Sequence, residues 1–241
     1  MHFVKIFRLL AVFLVFFPGV RSSAQVVAPT DTYGHCVLDA HFEPIHHTGR
    51  RYLLHLLEQL APAAGINPAT YSVELIADRR GLEEINAMTC TGSRMIWLSE
   101  KAYTELVGHD VSLVFVMAHE LAHGGAGQEL LLSGNTWMSP ADRELFARFN
   151  IRQYREVIFD LQAAEILLHS GYHPAAIVEG AAFILGQEGA DHLLPATNTH
   201  PAGWDRVQLL SSYLSFRYAG GGNLATVGRV LPSGEAALSK R

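Results

Sequence analysis

The spacing of apolar residues predicts a helix followed by a strand early in the chain. Between residues 48 and 60 the apolar positions fall on one stripe, as in an amphipathic helix, and Pro62 and Gly65 follow it. Residues 71–77 instead alternate between apolar and polar, which is the period of a half-buried strand. The pattern therefore indicates a sheet with at least one helix packed against it.

A hairpin is predicted next, because two strand-like runs, 84–91 and 94–99, flank the turn residues Gly92 and Ser93. Within it, residues 86–99 are the candidate for an exposed edge of the sheet. Such an edge can pair through its main chain with an extended peptide.

A run of apolar residues, 111–118, leads into His119-Glu-Leu-Ala-His123, and the whole segment 111–125 predicts a buried helix. Ionisable groups at the end of a buried helix are costly unless a metal ion or polar partners satisfy them. A helix end that carries two surface histidines is the alternative interpretation.

Helical signals dominate the rest of the chain. Ser139, followed by a proline, is a candidate N-cap for one long helix that runs to about Ser170 and ends at Gly171. Residues 175–185 and 202–217 predict two more helices. The expected fold class is α+β, mainly helical, with a small sheet beside the helix that carries the histidines.

The N-terminus resembles a secretory signal peptide. Lys5 and Arg8 precede the apolar run 9–17, and small residues follow at 22–24, so residues 1–24 are expected to be removed on export. The protein would then be periplasmic or secreted, and membrane-tethered only if the segment is not cleaved.

Residues 25–217 are expected to form one domain, and 218–241, with its run of three glycines, a flexible tail. No stretch after the signal segment is long and apolar enough to span a membrane. The formal charge of −5 and the absence of a Lys/Arg cluster exclude an electrostatic case for nucleic-acid binding. The sequence does not indicate an oligomeric state.

The chain has two cysteines, Cys36 and Cys90. Because an exported protein meets an oxidising compartment, a Cys36–Cys90 disulfide between the N-terminal segment and the central sheet is expected. Two unpaired thiols are the alternative.

The candidate chemistry begins with His119 and His123, which are four residues apart and so lie on one face of a helix. Both imidazoles can reach a single cation, as zinc sites require. Glu120 points about 100° away around the helix, an offset that suits a general base acting on a water held by the metal.

Glu156 and Asp160 form a second pair at a spacing of four, in a helix with many apolar residues. An open zinc site needs three protein ligands, and His, His and Glu form one such set, so Glu156 is the candidate third ligand. Asp160 could accept a hydrogen bond from a zinc-binding histidine. The alternative is a solvated acidic face paired with Arg152 or Arg155.

Four motifs in order resemble the zinc metallopeptidase family that contains HtpX, the BepA-like periplasmic proteases and the CAAX prenyl proteases. They are Ile85-Asn86-Ala87 ahead of the hairpin; His119-Glu-Leu-Ala-His123; Glu156-Val-Ile-Phe-Asp160 followed by Gly171-Tyr-His-Pro174; and Thr199-His200-Pro201 followed by Arg206. The resemblance spans about residues 70–216, which is more than half of the expected mature chain.

The resemblance implies a gluzincin peptidase with a zincin-like fold and one zinc ion. The ion would be held by His119, His123 and Glu156, with Glu120 as base and Asp160 supporting a ligand.

It also implies that His200 and Arg206 lie near the metal and help to bind substrate or stabilise the oxyanion. The chain departs from the family pattern at Phe159, where an alanine commonly precedes the aspartate, and it lacks the multiple membrane spans and C-terminal helical repeats of many relatives.

The expected function is an exported zinc endopeptidase whose partners are peptides or proteins, in particular unfolded or misassembled ones. Two alternatives stay open from the sequence. One is a periplasmic, chaperone-like quality-control protein that binds polypeptides and has a latent zinc site. The other is a zinc hydrolase that does not act on peptides, although apolar surroundings of the motif favour a peptide cleft.

Overall fold

The computed structural model describes residues 38, 40–80, 87–124, 135–186, 197 and 199–219. These residues form a mainly helical α+β structure with a small sheet, as the apolar pattern predicts. The described strands are β1 (Phe42–Ile45), β2 (Ser72–Asp78), β3 (Ala87–Cys90) and β4 (Met95–Ser99). The described helices are α1 (Arg50–Leu60), α2 (Glu100–Leu106), α3 (Asp110–Gly124), α4 (Pro140–Phe146), α5 (Ile151–His169), α6 (Pro174–Leu185) and α7 (Gly203–Ala219).

The sheet is mixed, and its strands lie in the order β1-β2-β4-β3. β1 pairs with β2 in antiparallel fashion, β2 pairs with β4 in parallel, and the predicted hairpin of β3 and β4 is antiparallel. In the hairpin, Ala87 faces Leu98 and Cys90 faces Met95 across the register. Of the described strands, β3 therefore forms an outer edge, whereas β4, which the predicted edge over 86–99 also includes, lies between β2 and β3.

The two faces of the sheet bury different apolar clusters, because successive side chains of a strand point to opposite sides. Val73, Leu75, Ala87, Ile96 and Leu98 face the main core. On the opposite face, Ile76, Met88, Cys90 and Trp97 form a smaller cluster. The alternation along β3 places Thr89 on the side of Ala87, towards the helices.

Helix α3 lies at the centre of the main core. Its residues from 112 to 122 are buried with the exception of Val116, and the helix packs against β3, α1, α2, α5 and α6. The approach of α6 is close: a Cβ added at Gly180 would lie 3.0 Å from the backbone of Val111. Because α3 has almost no solvated face, the ionisable residues near its end must find partners inside the protein.

The prediction of one long helix from Ser139 to about Ser170 is wrong, because this segment folds as α4 and α5. Ser139 caps α4 as expected, through a hydrogen bond from the backbone N–H of Asp142 to its side chain. The helix is interrupted before α5, where Asn150 is the N-cap and its side chain accepts hydrogen bonds from the N–H groups of Arg152 and Gln153. The Gln153 side chain accepts from the Asn150 N–H in return, which completes a capping box.

Most of the other predicted helices and strands agree with the structure. The helix expected over 48–60, the strand over 71–77 and the helices over 175–185 and 202–217 are confirmed with shifts of one or two residues at their ends. β1 and α2 were not assigned from the pattern. The last turn of α7 includes Tyr218 and Ala219, so the first two residues of the expected tail are helical.

Several predictions fall outside the described residues. They are the signal peptide over 1–24, the start of the hairpin before Ala87 and the tail from residue 220 onwards. The expected Cys36–Cys90 disulfide also stays a prediction, because Cys36 is not among the described residues, whereas Cys90 is buried in β3. In the described part of the chain, no helix has both the length and the apolar character that a membrane span requires.

Candidate metal centre

The last turns of α3 bring two imidazoles together inside the protein. His119 is almost fully buried, His123 is partly exposed, and their Nε2 atoms lie 3.1 Å apart. The i, i+4 spacing puts both rings on the face of α3 that meets α5. The alternative interpretation of a helix end with two surface histidines is therefore wrong.

Helix α5 supplies a carboxylate to the same place. Glu156 Oε2 lies 3.4 Å from His119 Nε2, and Glu156 Oε1 lies 4.0 Å from His123 Nε2. One potential ligand atom from each of these three residues lies within 4.8 Å of the other two. The sequence pairs of α3 and α5, which are more than 30 residues apart in the chain, thus converge on one point.

Asp160, one turn after Glu156, contacts the other side of His119. Its Oδ1 lies 2.9 Å from His119 Nδ1, and since an ionised carboxylate only accepts hydrogen bonds, Nδ1 is the donor. Arg206 donates from Nε to Oδ2 and from Nη2 to Oδ1 of Asp160, both at 2.7 Å. The arrangement fixes the ring of His119 and directs its Nε2 towards His123 and Glu156.

The electrostatics of the site follow from these contacts. Burial alone would raise the pKa of Asp160 and of Glu156. Arg206 instead lowers the pKa of Asp160, and contacts with His119 and His200 lower the pKa of Glu156 well below its usual range. Burial would lower the pKa of His119, but the two carboxylates raise it to about 10. The two carboxylates therefore favour a cation where these side chains converge, and a metal ion bound there would take the place of the proton on His119 Nε2.

The donor set fits a metal cation. Glu156 Oε2 is buried and accepts no hydrogen bond of acceptable geometry, although His119 Nε2 and His200 Nε2 lie close to it. Burial and the neighbouring His119 lower the pKa of His123 to about 3, which keeps this imidazole neutral and able to ligate. Two imidazole nitrogens and an uncommitted carboxylate oxygen could hold a metal ion.

Glu120 follows His119 in α3, is buried, and lies close enough to His119 and Glu156 to interact with them electrostatically. Burial raises the pKa of Glu120 to about 7, although His119 and Thr89 act in the opposite direction. Thr89 of β3 has its Oγ1 2.8 Å from Glu120 Oε2 and also 2.8 Å from the Glu120 backbone oxygen. Thr89 was missed by sequence reasoning, although strand alternation in the hairpin could have placed it on the side of the helices.

His200 lies at the same cluster, as the motif resemblance implies. Its contact there is with the candidate ligand Glu156. Its Nε2 is 3.2 Å from Glu156 Oε2, and its Nδ1 is 2.8 Å from Thr199 Oγ1. Gln153 donates to the backbone oxygens of Thr197 and His200, so α5 also fixes the backbone around this histidine.

The surroundings decide between the two interpretations of the acidic pair on α5. Glu156 and Asp160 are buried, whereas Arg152 and Arg155 are exposed. The carboxylates face His119, His200 and Arg206 instead. A solvated acidic face paired with neighbouring arginines is therefore wrong for this helix.

Comparison of the chain with protein-family models, with curated proteins and with solved structures finds no match.

We predict that a divalent metal ion, for which zinc serves as the probe, stabilises the folded protein through this cluster. A ligand at 100 times its dissociation constant stabilises by about 2.7 kcal/mol, which thermal unfolding with and without zinc would detect. Glu156→Gln and His119→Ala should lose this stabilisation, because each removes a ligand. His55→Ala, which changes an exposed histidine of α1, is the control and should keep it. Full stabilisation of Glu156→Gln by zinc would remove Glu156 from the ligand set.

A second prediction concerns the buried ion pair of Asp160 and Arg206. Asp160→Asn should destabilise the metal-free protein by about 3–5 kcal/mol, because Arg206 is left buried without a counter-charge. Urea unfolding would measure the change. The control is Glu43→Gln, which removes an exposed pair with Arg79 and should cost less than about 1 kcal/mol. Equal costs for the two variants would contradict the prediction.

Proposed function

We propose that this protein is an exported zinc-dependent endopeptidase. The observation that carries the proposal is the convergence of His119, His123 and Glu156 on one point, with the carboxylate of Glu120 beside them. Two imidazoles and one carboxylate form a ligand set of open, catalytic zinc sites, which leave a coordination position for water or substrate. The motif resemblance to the HtpX/BepA-like metallopeptidases and a zincin-like fold are part of this proposal.

The mechanism assigns the proton transfers to Glu120. Zinc in such a site supplies a Lewis acid, which lowers the pKa of a water molecule and polarises a peptide carbonyl. Glu120 accepts a proton from the water while the oxygen of that water forms a bond to the carbonyl carbon. Glu120 then returns that proton to the leaving amine when the C–N bond breaks. One water is consumed, and one carboxylic acid and one amine are formed.

The supporting residues follow from the contacts. Arg206 uses Nε and Nη2 to hold Asp160, so we assign it the task of fixing Asp160 and, through it, His119. This differs from the oxyanion role that the resemblance implies for Arg206. His200, with Nε2 directed at the cluster, is the candidate group for contact with the substrate or the oxyanion.

Edge strand β3 supports a peptide as the substrate. It packs against α3, and Thr89, in the middle of the strand, contacts Glu120 of the site. Main-chain groups on the outer side of an edge strand can pair with an extended peptide, which would bring a scissile carbonyl alongside α3. A phosphate or sugar substrate has no comparable support in these contacts.

We predict that Glu120→Gln keeps zinc but loses hydrolysis, because the amide retains the shape of the side chain without its basicity. The assay follows fragments released from an unfolded protein, with and without a chelator, and zinc content is measured on the same samples. Loss of a general base lowers the rate by about 100-fold or more. Glu144→Gln, at an exposed position of α4, should behave as wild type.

Two outcomes would contradict the proposal. Turnover by Glu120→Gln at the wild-type rate would remove Glu120 from the mechanism. Stable binding of the unfolded protein by the zinc-loaded wild type, without any fragments, would instead support the chaperone-like alternative.

A further prediction is that Thr89→Val lowers kcat, with KM and zinc content unchanged. Valine has nearly the shape of threonine but cannot donate to Glu120 Oε2, so the carboxylate is less well oriented. Loss of a hydrogen bond to a charged group corresponds to a decrease of about 10- to 100-fold. Thr89→Ser should restore most of the rate, and Thr104→Val, in an exposed turn of α2, is the control. A wild-type kcat for Thr89→Val would contradict this role.

A further inference from the structure

Phe159 lies between the two carboxylates that α5 contributes to the site. Phe159 follows Glu156 by three residues, a spacing at which helix side chains are neighbours, and its ring lies against the two histidines of α3. The Phe159 side chain is buried, with 6% of its surface exposed. Its ring contacts the site directly, so the neighbours of Phe159 include the two histidines as well as apolar core residues.

The ring of Phe159 lies tilted against one histidine and edge-on to the other. Its centroid lies 3.9 Å from that of His123, with 36° between the planes. The His119 centroid is 6.2 Å away, at 83°. Contact at the shorter distance restricts how far the His123 ring can turn about its side-chain bonds.

The two histidines are therefore held by different means. His119 is fixed by the hydrogen bond from Nδ1 to Asp160. For His123, the hydrogen bond seen within the described residues involves Nε2, the nitrogen that faces the cluster. In metal sites a histidine is commonly oriented by a hydrogen bond at its second nitrogen, and at His123 the described neighbour that could replace this restraint is Phe159.

We propose that Phe159 is a positioning residue for metal binding: its ring holds the His123 imidazole in the orientation that directs Nε2 at the cation. The inference rests on the zinc site of the proposed function. It predicts that loss of the flat ring weakens binding of the metal even when the apolar volume is kept.

A second histidine–phenylalanine contact, with the same distance between the ring centroids, provides a comparison. Phe183 of α6 stacks on His109 with centroids 3.9 Å apart and 30° between the planes. His109 precedes α3 and is not part of the ligand cluster. If Phe159 only packed the core, substitution of either phenylalanine would have the same kind of effect.

The experiment compares Phe159→Leu and Phe183→Leu with wild type by zinc titration against a competing chelator. An aromatic contact of this kind corresponds to about three- to tenfold in a binding constant. We expect Phe159→Leu to bind zinc more weakly by that factor and Phe183→Leu to bind as wild type. Metal-free unfolding of all three proteins shows whether both variants fold.

Cobalt(II) provides a readout that packing alone would not change. Its visible absorption reports the geometry of the ligands, so Phe159→Leu should alter the bands, and Phe183→Leu should reproduce the wild-type spectrum. Wild-type zinc affinity and an unchanged cobalt spectrum in a folded Phe159→Leu would overturn the inference. Absence of zinc binding by wild type would be a different result, since it would contradict the proposed function itself.

Discussion

The arrangement of the site depends on one buried ion pair, that of Asp160 with Arg206. Two charges removed from water are tolerated only when their hydrogen bonds are well formed, and here both oxygens of the carboxylate accept from the guanidinium. The pair joins α5 to α7 and leaves Oδ1 also in contact with His119. The contact between α5 and α7, which are far apart in the sequence, thereby fixes the imidazole of His119 on α3. It also sets the direction of His119 Nε2.

The same constraint explains why the cluster lies where it does. α3 is surrounded by apolar neighbours, so His119 and Glu120 cannot turn to solvent and must be satisfied by residues of other elements. β3 supplies Thr89 to Glu120, and α5 supplies its carboxylates to His119. The geometry of the cluster is in this sense a result of core packing, because β3 and α5 both pack against α3.

Local sequence signals placed both residue pairs of the cluster on helices, although they did not give the start of α5. The apolar run before His119 indicates a buried helix, and the i, i+4 spacings put each pair of side chains on one face. The break between α4 and α5 was missed because Asn150, the cap, is surrounded by apolar residues at near-helical spacing. α2 was missed for a related reason, since its cap, Ser99, is also the last residue of β4. In both cases a capping hydrogen bond decided the boundary, and periodicity does not show it.

The contacts between residues far apart in the sequence were harder to predict than the candidate ligands. The motif resemblance placed Arg206 near the metal, but only the folded structure shows its guanidinium on Asp160. Thr89 and Phe159 reach Glu120 and His123 through the packing of β3 and α5 on α3. Their neighbours therefore depend on how elements are rotated against one another, which a single sequence does not determine.

Access to the site is uneven, and this bears on how a substrate would meet it. The side chains of Asp160 and His119 are only 2% and 3% exposed, whereas that of His123 is 18% exposed. Glu156 and His200 lie between these limits. The cluster thus has a closed side, formed by the ion pair, and a more open side at His123. A cation held there would be supported by Asp160 through His119, and the more exposed His123 would be the side from which it could be approached.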